Sequence, residues 1–245
     1  MNEIARHLAE IGTEKTVPKN TIVITQGSSL RDVYCVVSGC IKMSRVGRNG
    51  AERVVGFKMP GDIFPDNYAF GDAEDAMFDY ESLEGTRLVR LSKEQFQSVF
   101  AVNQGLRDAC FQYLIRGNAG LLIQVAALKH PHATDKLMLM IYHLMVRYGT
   151  ERKKGMYRIN LTVSHAMLAK LVGLSRETVT IELGKLRKHG ILAFGTKKLV
   201  VNKQALRDKI GEDGLADWKN TEYALPINPL ACKINHNLRV ITITE

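Results

Sequence analysis

The sequence predicts an α+β chain: an antiparallel all-β region, then a long helix, then a small helical domain closed by a β-hairpin. Three observations predict it. Between Thr16 and Ser92, short apolar runs alternate with Gly-rich turns, the pattern of an antiparallel sandwich or barrel. From Gln95 to Lys129 the apolar residues recur at three- and four-residue spacing, which is helical. From Ser164 to Gly190 the chain reads SHAMLAKLVGLSRETVTIELGKLRKHG, two capped helices around a Gly turn, the helix-turn-helix pattern.

In the β region TIVITQG reads as a strand ending at Gly27, and VYCVVSGCIKMSRV as two strands joined at Ser38-Gly39. Gly47-Arg48-Asn49-Gly50 is a hairpin turn, where Asn-Gly supplies positive φ. RVVGFKM, a Pro60-Gly61-Asp62 turn and GTRLVRLS complete the region. The long helix carries two stripes. Phe111, Leu114, Leu121, Val125 and Leu128 form one, and Leu106, Cys110, Tyr113, Gly117, Gly120 and Gln124 the other. One stripe can cover the β region while the other meets a partner helix, giving a homodimer. Pro131 breaks this helix, Thr134 can cap the next (DKLMLMIYHLMVRYG), and the domain boundary falls near residues 130–134.

In the helix-turn-helix, Ser164 caps the first helix, Gly173 closes it and Ser175 caps the second. Val179, Leu183 and Leu186 point inward. Arg176, Glu177 and Thr180 project from the other face, where a second helix meets base edges of double-stranded DNA. Arg donates twice to guanine and Glu accepts from the cytosine amino group. ILAFGTKKLVVN follows as a hairpin tipped by Lys197 and Lys198, suited to a phosphate-touching wing, and KQALRDKI as a short helix. The last 32 residues, from Gly214, carry the only Trp and have no assigned role.

The charge distribution agrees. Of a net +9, residues 1–150 hold 17 basic against 16 acidic side chains, and residues 151–213 hold 14 against 6. The basic excess surrounds the helix-turn-helix, as a phosphate-binding module requires. The four cysteines lack CxxC spacing, which argues against a zinc site or disulfide framework. Neither a signal-peptide core nor a membrane-length apolar run is present, so the expected location is cytoplasmic, with no membrane partner.

Gly27, VYCVVSGCIKM, the GRNG turn, PGDIF and the downstream SRETV together resemble the CRP/FNR family of bacterial transcription regulators, over about residues 14–210. The resemblance implies a jelly-roll-like β-roll for effector sensing (1–102), a dimerisation helix (103–130) and a winged helix-turn-helix (131–213), leaving 214–245 as an extension. It implies an effector-responsive regulator, not an enzyme, that binds a palindromic operator as a homodimer and contacts RNA polymerase if it activates. Ser164, Ser175, Thr178, Lys185, Lys188, Lys197 and Lys198 become DNA-backbone candidates. Ile181 stands where many relatives carry an Arg, and offers only apolar contact, for example to a thymine methyl.

For the effector, the resemblance points to Asp62, Phe64, Asp66, Asn67, Ala76 and Met77, with Tyr113 from the helix. Nucleotide-binding relatives place Gly-Glu-Leu after the PGD turn and then an Arg-Ser pair on the cyclic phosphate. Here those positions read Pro65-Asp66-Asn67 and Ala76-Met77, and Asp62 to Glu84 holds eight acids without a Lys or Arg. A small-molecule effector other than cAMP is therefore expected. No cysteine precedes Cys35, so no iron–sulfur cluster is expected. Cys35 and Cys40 could face each other across a hairpin. No feature selects a haem ligand, and His130-Pro131-His132 reads as a helix break rather than a metal site. The rival classes are a cupin-like metalloenzyme, which lacks closely spaced strand histidines, and a regulatory module acting on a protein partner.

Overall fold

A computed structural model describes residues 3–194 and 198–211. A short helix α1 (Glu3–Ala9) buries Ile4, Ala5 and Leu8 and leads into eight strands. These are β1 (Thr13–Val17), β2 (Ile22–Ile24), β3 (Asp32–Ser38), β4 (Ile41–Val46), β5 (Glu52–Lys58), β6 (Ile63–Phe64), β7 (Asp79–Ser82) and β8 (Thr86–Ser92). One turn of helix, α2 (Asp66–Ala69), interrupts them. They form two antiparallel four-stranded sheets, ordered β1-β8-β3-β6 and β2-β7-β4-β5.

The expected hairpin at Ser38-Gly39 is not one: β3 and β4 belong to opposite sheets, and Gly39 (φ 94°) turns the corner between them. A Cβ there would lie 2.5 Å from the Thr86 hydroxyl, so only glycine fits. Cys35 and Cys40 therefore do not face each other across a ladder, and each is buried in a different core cluster. The GRNG turn does join β4 to β5, with only Gly50 at positive φ (72°). Tyr34, Phe64 and Tyr80 stack at 5.3 and 5.0 Å and tie the two sheets together.

The helical stretch divides in two. Ser92 and Gln95 form a capping box on α3 (Lys93–Val102), and Asn103 caps α4 (Gln104–Lys129) by accepting from the Leu106 N–H. One stripe of α4 is buried and the other exposed. Leu106, Cys110, Tyr113 and Gly120 are buried, whereas Phe111, Leu121 and Val125 lie 63%, 55% and 49% exposed. The next helix, α5 (Ala133–Tyr148), is capped at His132 without a side-chain bond. Thr134 lies inside it, and its hydroxyl donates to Glu182 instead of capping.

The second core gathers α5, α6 (His165–Val172), α7 (Arg176–Lys188) and α8 (Lys203–Ile210) on a sheet ordered β11-β12-β10-β9. Its strands are β9 (Gly149–Lys153), β10 (Met156–Ile159), β11 (Leu192–Phe194) and β12 (Leu199–Asn202). This core is continuous with Cys40, Val54 and Phe57 of the sandwich, so the helical head is docked on β5. Tyr148 Oη donates to the Phe57 carbonyl at 3.1 Å, and Lys170 of α6 pairs with Glu52.

Candidate nucleic-acid interface and effector cavity

The helix-turn-helix is built as its caps require. Ser164 Oγ accepts from Met167 N and Ser175 Oγ from Thr178 N, both at 3.1 Å, and Gly173 takes the left-handed conformation between them (φ 68°). Leu168, Leu171, Val172, Val179, Leu183 and Leu186 are buried behind it. That packing leaves Arg176, Glu177, Thr180 and Ile181 exposed on the outer face of α7. Its own backbone N–H, with the Ser175 hydroxyl, holds the Glu177 carboxyl below its ordinary pKa. Glu177 is thus an ionised acceptor beside the Arg176 donor.

The other candidates are more varied. Thr178 is half-buried and Lys188 exposed. Lys185 donates to Glu182 at 2.7 Å, and Lys198 to the Asn160 carbonyl at 2.9 Å. Lys197 lies outside the described residues. Ser164 and Lys198 line a cleft of about 640 Å³ between sandwich and head, opposite Lys19 and Glu84. Sequence reasoning missed Glu182, which sits on α7 yet is only 7% exposed and accepts from Thr134 Oγ1 at 2.6 Å. A carboxylate on an otherwise apolar inner stripe was the available signal.

A second feature lies where β5 meets α4 and α5: a cavity of about 340 Å³ lined by Phe57, Lys58, Asp66, Tyr113, His143 and Arg147. Lys58 Nζ binds both Asp66 oxygens (2.5 and 2.7 Å) and Tyr113 Oη (2.8 Å). Arg147 pairs with Asp62 at 3.0 Å, and Asp62 also accepts from Met59 N at 2.8 Å. Burial pushes the Asp62 carboxyl up, and Arg147 and Lys58 oppose that shift. Burial, with Asp66 nearby, also carries the Tyr113 phenol well above its ordinary value. Burial and then Arg147 push the His143 imidazole down to about 4, so it is neutral here.

Of the expected effector residues, the fold brings Asp62, Asp66 and Tyr113 together. Phe64 and Ala76 belong to the sandwich core, Asn67 is half-buried, and Met77 is 52% exposed. The acidic run does receive cations, contrary to its local composition. Lys58, just before the acidic run, and Arg147, far along the chain, each neutralise one carboxylate, and neither they nor His143 lie in the motif that drew attention to the region. Burial raises the thiols of Cys35, Cys40 and Cys110, the last to about 12, so none is a ready thiolate. Among the described residues, no group of three His, Cys, Asp or Glu could hold a metal ion, and no helix is long and apolar enough to cross a membrane.

Residues 14–103 match the cyclic nucleotide-binding domain and residues 136–209 the Crp-like helix-turn-helix domain. Fold and site thus define a DNA-binding transcription regulator with an effector-binding domain. The fumarate and nitrate reduction regulatory protein of Escherichia coli is 25% identical over 205 residues, covering 82% of this chain and 80% of that one. Two solved structures share the fold at 20% identity. A CooA variant from Carboxydothermus hydrogenoformans has a TM-score of 0.68 and covers 87% of this chain and 92% of its own. FixK2 from Bradyrhizobium japonicum has a TM-score of 0.64 and covers 81% and 96%. The chain belongs to the CRP/FNR family of transcription regulators.

Proposed function

We propose that the protein is a cytoplasmic, effector-controlled regulator that binds a two-fold symmetric DNA site as a homodimer. The observation that carries this reading is the exposed face of α7. Arg176, Glu177, Thr180 and Ile181 stand out from a helix whose opposite side is fixed by Val179, Leu183 and Leu186. Arg176 and Glu177 read base edges, Thr180 and Ile181 add close contact, and Ser164, Thr178, Lys185, Lys188, Lys197 and Lys198 serve the phosphates. The exposed stripe of α4 supports the dimer, because two such faces bury each other as a coiled-coil seam. Operator symmetry follows protein symmetry. Catalysis has no part in this reading, and RNA polymerase is a partner only if the protein activates.

The effector cavity is the one between β5, α4 and α5. Lys58 and Arg147 are already paired, so a ligand there must exchange with Asp66 or Asp62 or use the neutral His143 and Tyr113. Ala76 and Met77 supply no cation for a cyclic phosphate, which supports an effector other than cAMP. The head docked on β5 and the break between α4 and α5 at residues 130–132 are where the two states that such control requires would differ.

Selection from a random duplex library tests the proposal. The wild-type chain should enrich an inverted repeat, and failure to enrich any sequence would overturn it. Arg176→Ala should cost about 1–3 kcal/mol on the selected site and little on random DNA. Equal losses on both would reduce Arg176 to a phosphate contact.

A further inference from the structure

His165, the first residue of α6, reaches across to the recognition helix. Its Nδ1 lies 2.9 Å from Thr180 Oγ1, and that hydroxyl lies 2.8 Å from the Arg176 carbonyl one turn earlier. A threonine hydroxyl has a single proton to give. With that proton on the Arg176 carbonyl, the hydroxyl must accept from His165 Nδ1–H. The side chain is then fixed at both ends, and the oxygen has no proton left for a base.

We infer that His165 is a specificity-determining positioning residue: it locks the Thr180 hydroxyl inward on the helix, so that Thr180 presents its methyl group to the DNA. Ile181, the next residue along α7, is also exposed and apolar. The pair makes an apolar step beside the polar Arg176 and Glu177. The thymine C5-methyl is the major-groove feature that such a step recognises. The inference rests on the reading of α7 as the DNA-contacting helix, but the lock itself belongs to the free protein.

Two measurements on the full chain test it. Long-range proton–nitrogen NMR should find the neutral His165 ring carrying its proton on Nδ1. Thr180→Val should shift that proton towards Nε2. A wild-type His165 protonated on Nε2 would overturn the lock, whether or not the protein binds DNA.

The random-duplex selection then reads its consequence. Thr180→Val should keep the thymine preference at the contacted step, because the methyl remains. His165→Ala should lower that preference by roughly tenfold, the scale of one apolar group's discrimination. His165→Asn, whose amide N–H can replace Nδ1–H, should restore it. His165→Ala losses spread evenly over all sequences would make His165 a phosphate contact and overturn the inference. If the wild type enriches no sequence, the family-type reading of α7 fails while the NMR result still decides the lock.

Discussion

Replacing Arg147 with Met should strand a buried carboxylate. Asp62 is 10% exposed in its side chain and Arg147 21%, and they meet at 3.0 Å. Breaking such a pair from one side costs about 3–5 kcal/mol, because the remaining charge keeps its desolvation penalty without its partner. Asp62 keeps its bond from Met59 N, and Arg147 retains some solvent. The expected loss is therefore about 3 kcal/mol, the lower end of that range. Urea unfolding followed by circular dichroism measures it at neutral pH. Asp62→Asn combined with Arg147→Met should recover about 2 kcal/mol of the loss, since no charge is then stranded.

The pH dependence carries a definite sign. The folded-state pKa of Asp62 is already raised, and removing Arg147 raises it further. The folded state then holds the proton more tightly than the unfolded chain. Stability of Arg147→Met should therefore be best preserved below about pH 4, the unfolded carboxyl value, and fall as pH rises through the folded value. The double variant should lack that added slope. A loss under about 1 kcal/mol at neutral pH, or a deficit independent of pH, would refute the buried-pair account.

Lys170→Glu places a carboxylate against Glu52. Glu52 is held down to about 2 by Lys170 and Lys42 despite a partial burial that pushes it up. The swap should loosen the head from β5 by about 1 kcal/mol and widen the small-angle X-ray scattering profile, and an unchanged profile would count against the latch. Leu121→Glu, on the exposed stripe of α4, should convert dimers to monomers in sedimentation velocity with little change in the urea midpoint. Ser175→Ala removes the cap of α7 and should cost about 1 kcal/mol in unfolding experiments, while Ser175→Asp should cost little.

Local chemistry made the helix-turn-helix legible. Ser164, Gly173 and Ser175 act on neighbours within a few residues, and the stripe of Val179, Leu183 and Leu186 follows from helical period alone. The two faces of α4 were legible for the same reason. Ser38-Gly39 was not, because a hairpin and a crossing between sheets demand the same glycine and differ only in distant partners. The effector region was only partly legible for a similar reason. Counting along a motif led to Phe64 and Ala76, which the core claims, and away from Lys58 and Arg147. Those cations reach Asp66 and Asp62 from 8 and 85 positions away, and no local rule encodes such pairs.

The helix α5 is held at both ends by different parts of the molecule. Near its start Thr134 grips Glu182 of α7, and at its finish Arg147 and Tyr148 grip Asp62 and Phe57 of the sandwich. Sixteen residues of helix make a rod of about 24 Å. A tilt of about 10° at the cavity end sweeps the far end through roughly 4 Å, on the scale of one base-pair rise. Under the proposed function, a ligand that tilted α5 at Asp62 or Phe57 would thereby displace α7 by an amount that a DNA groove can feel.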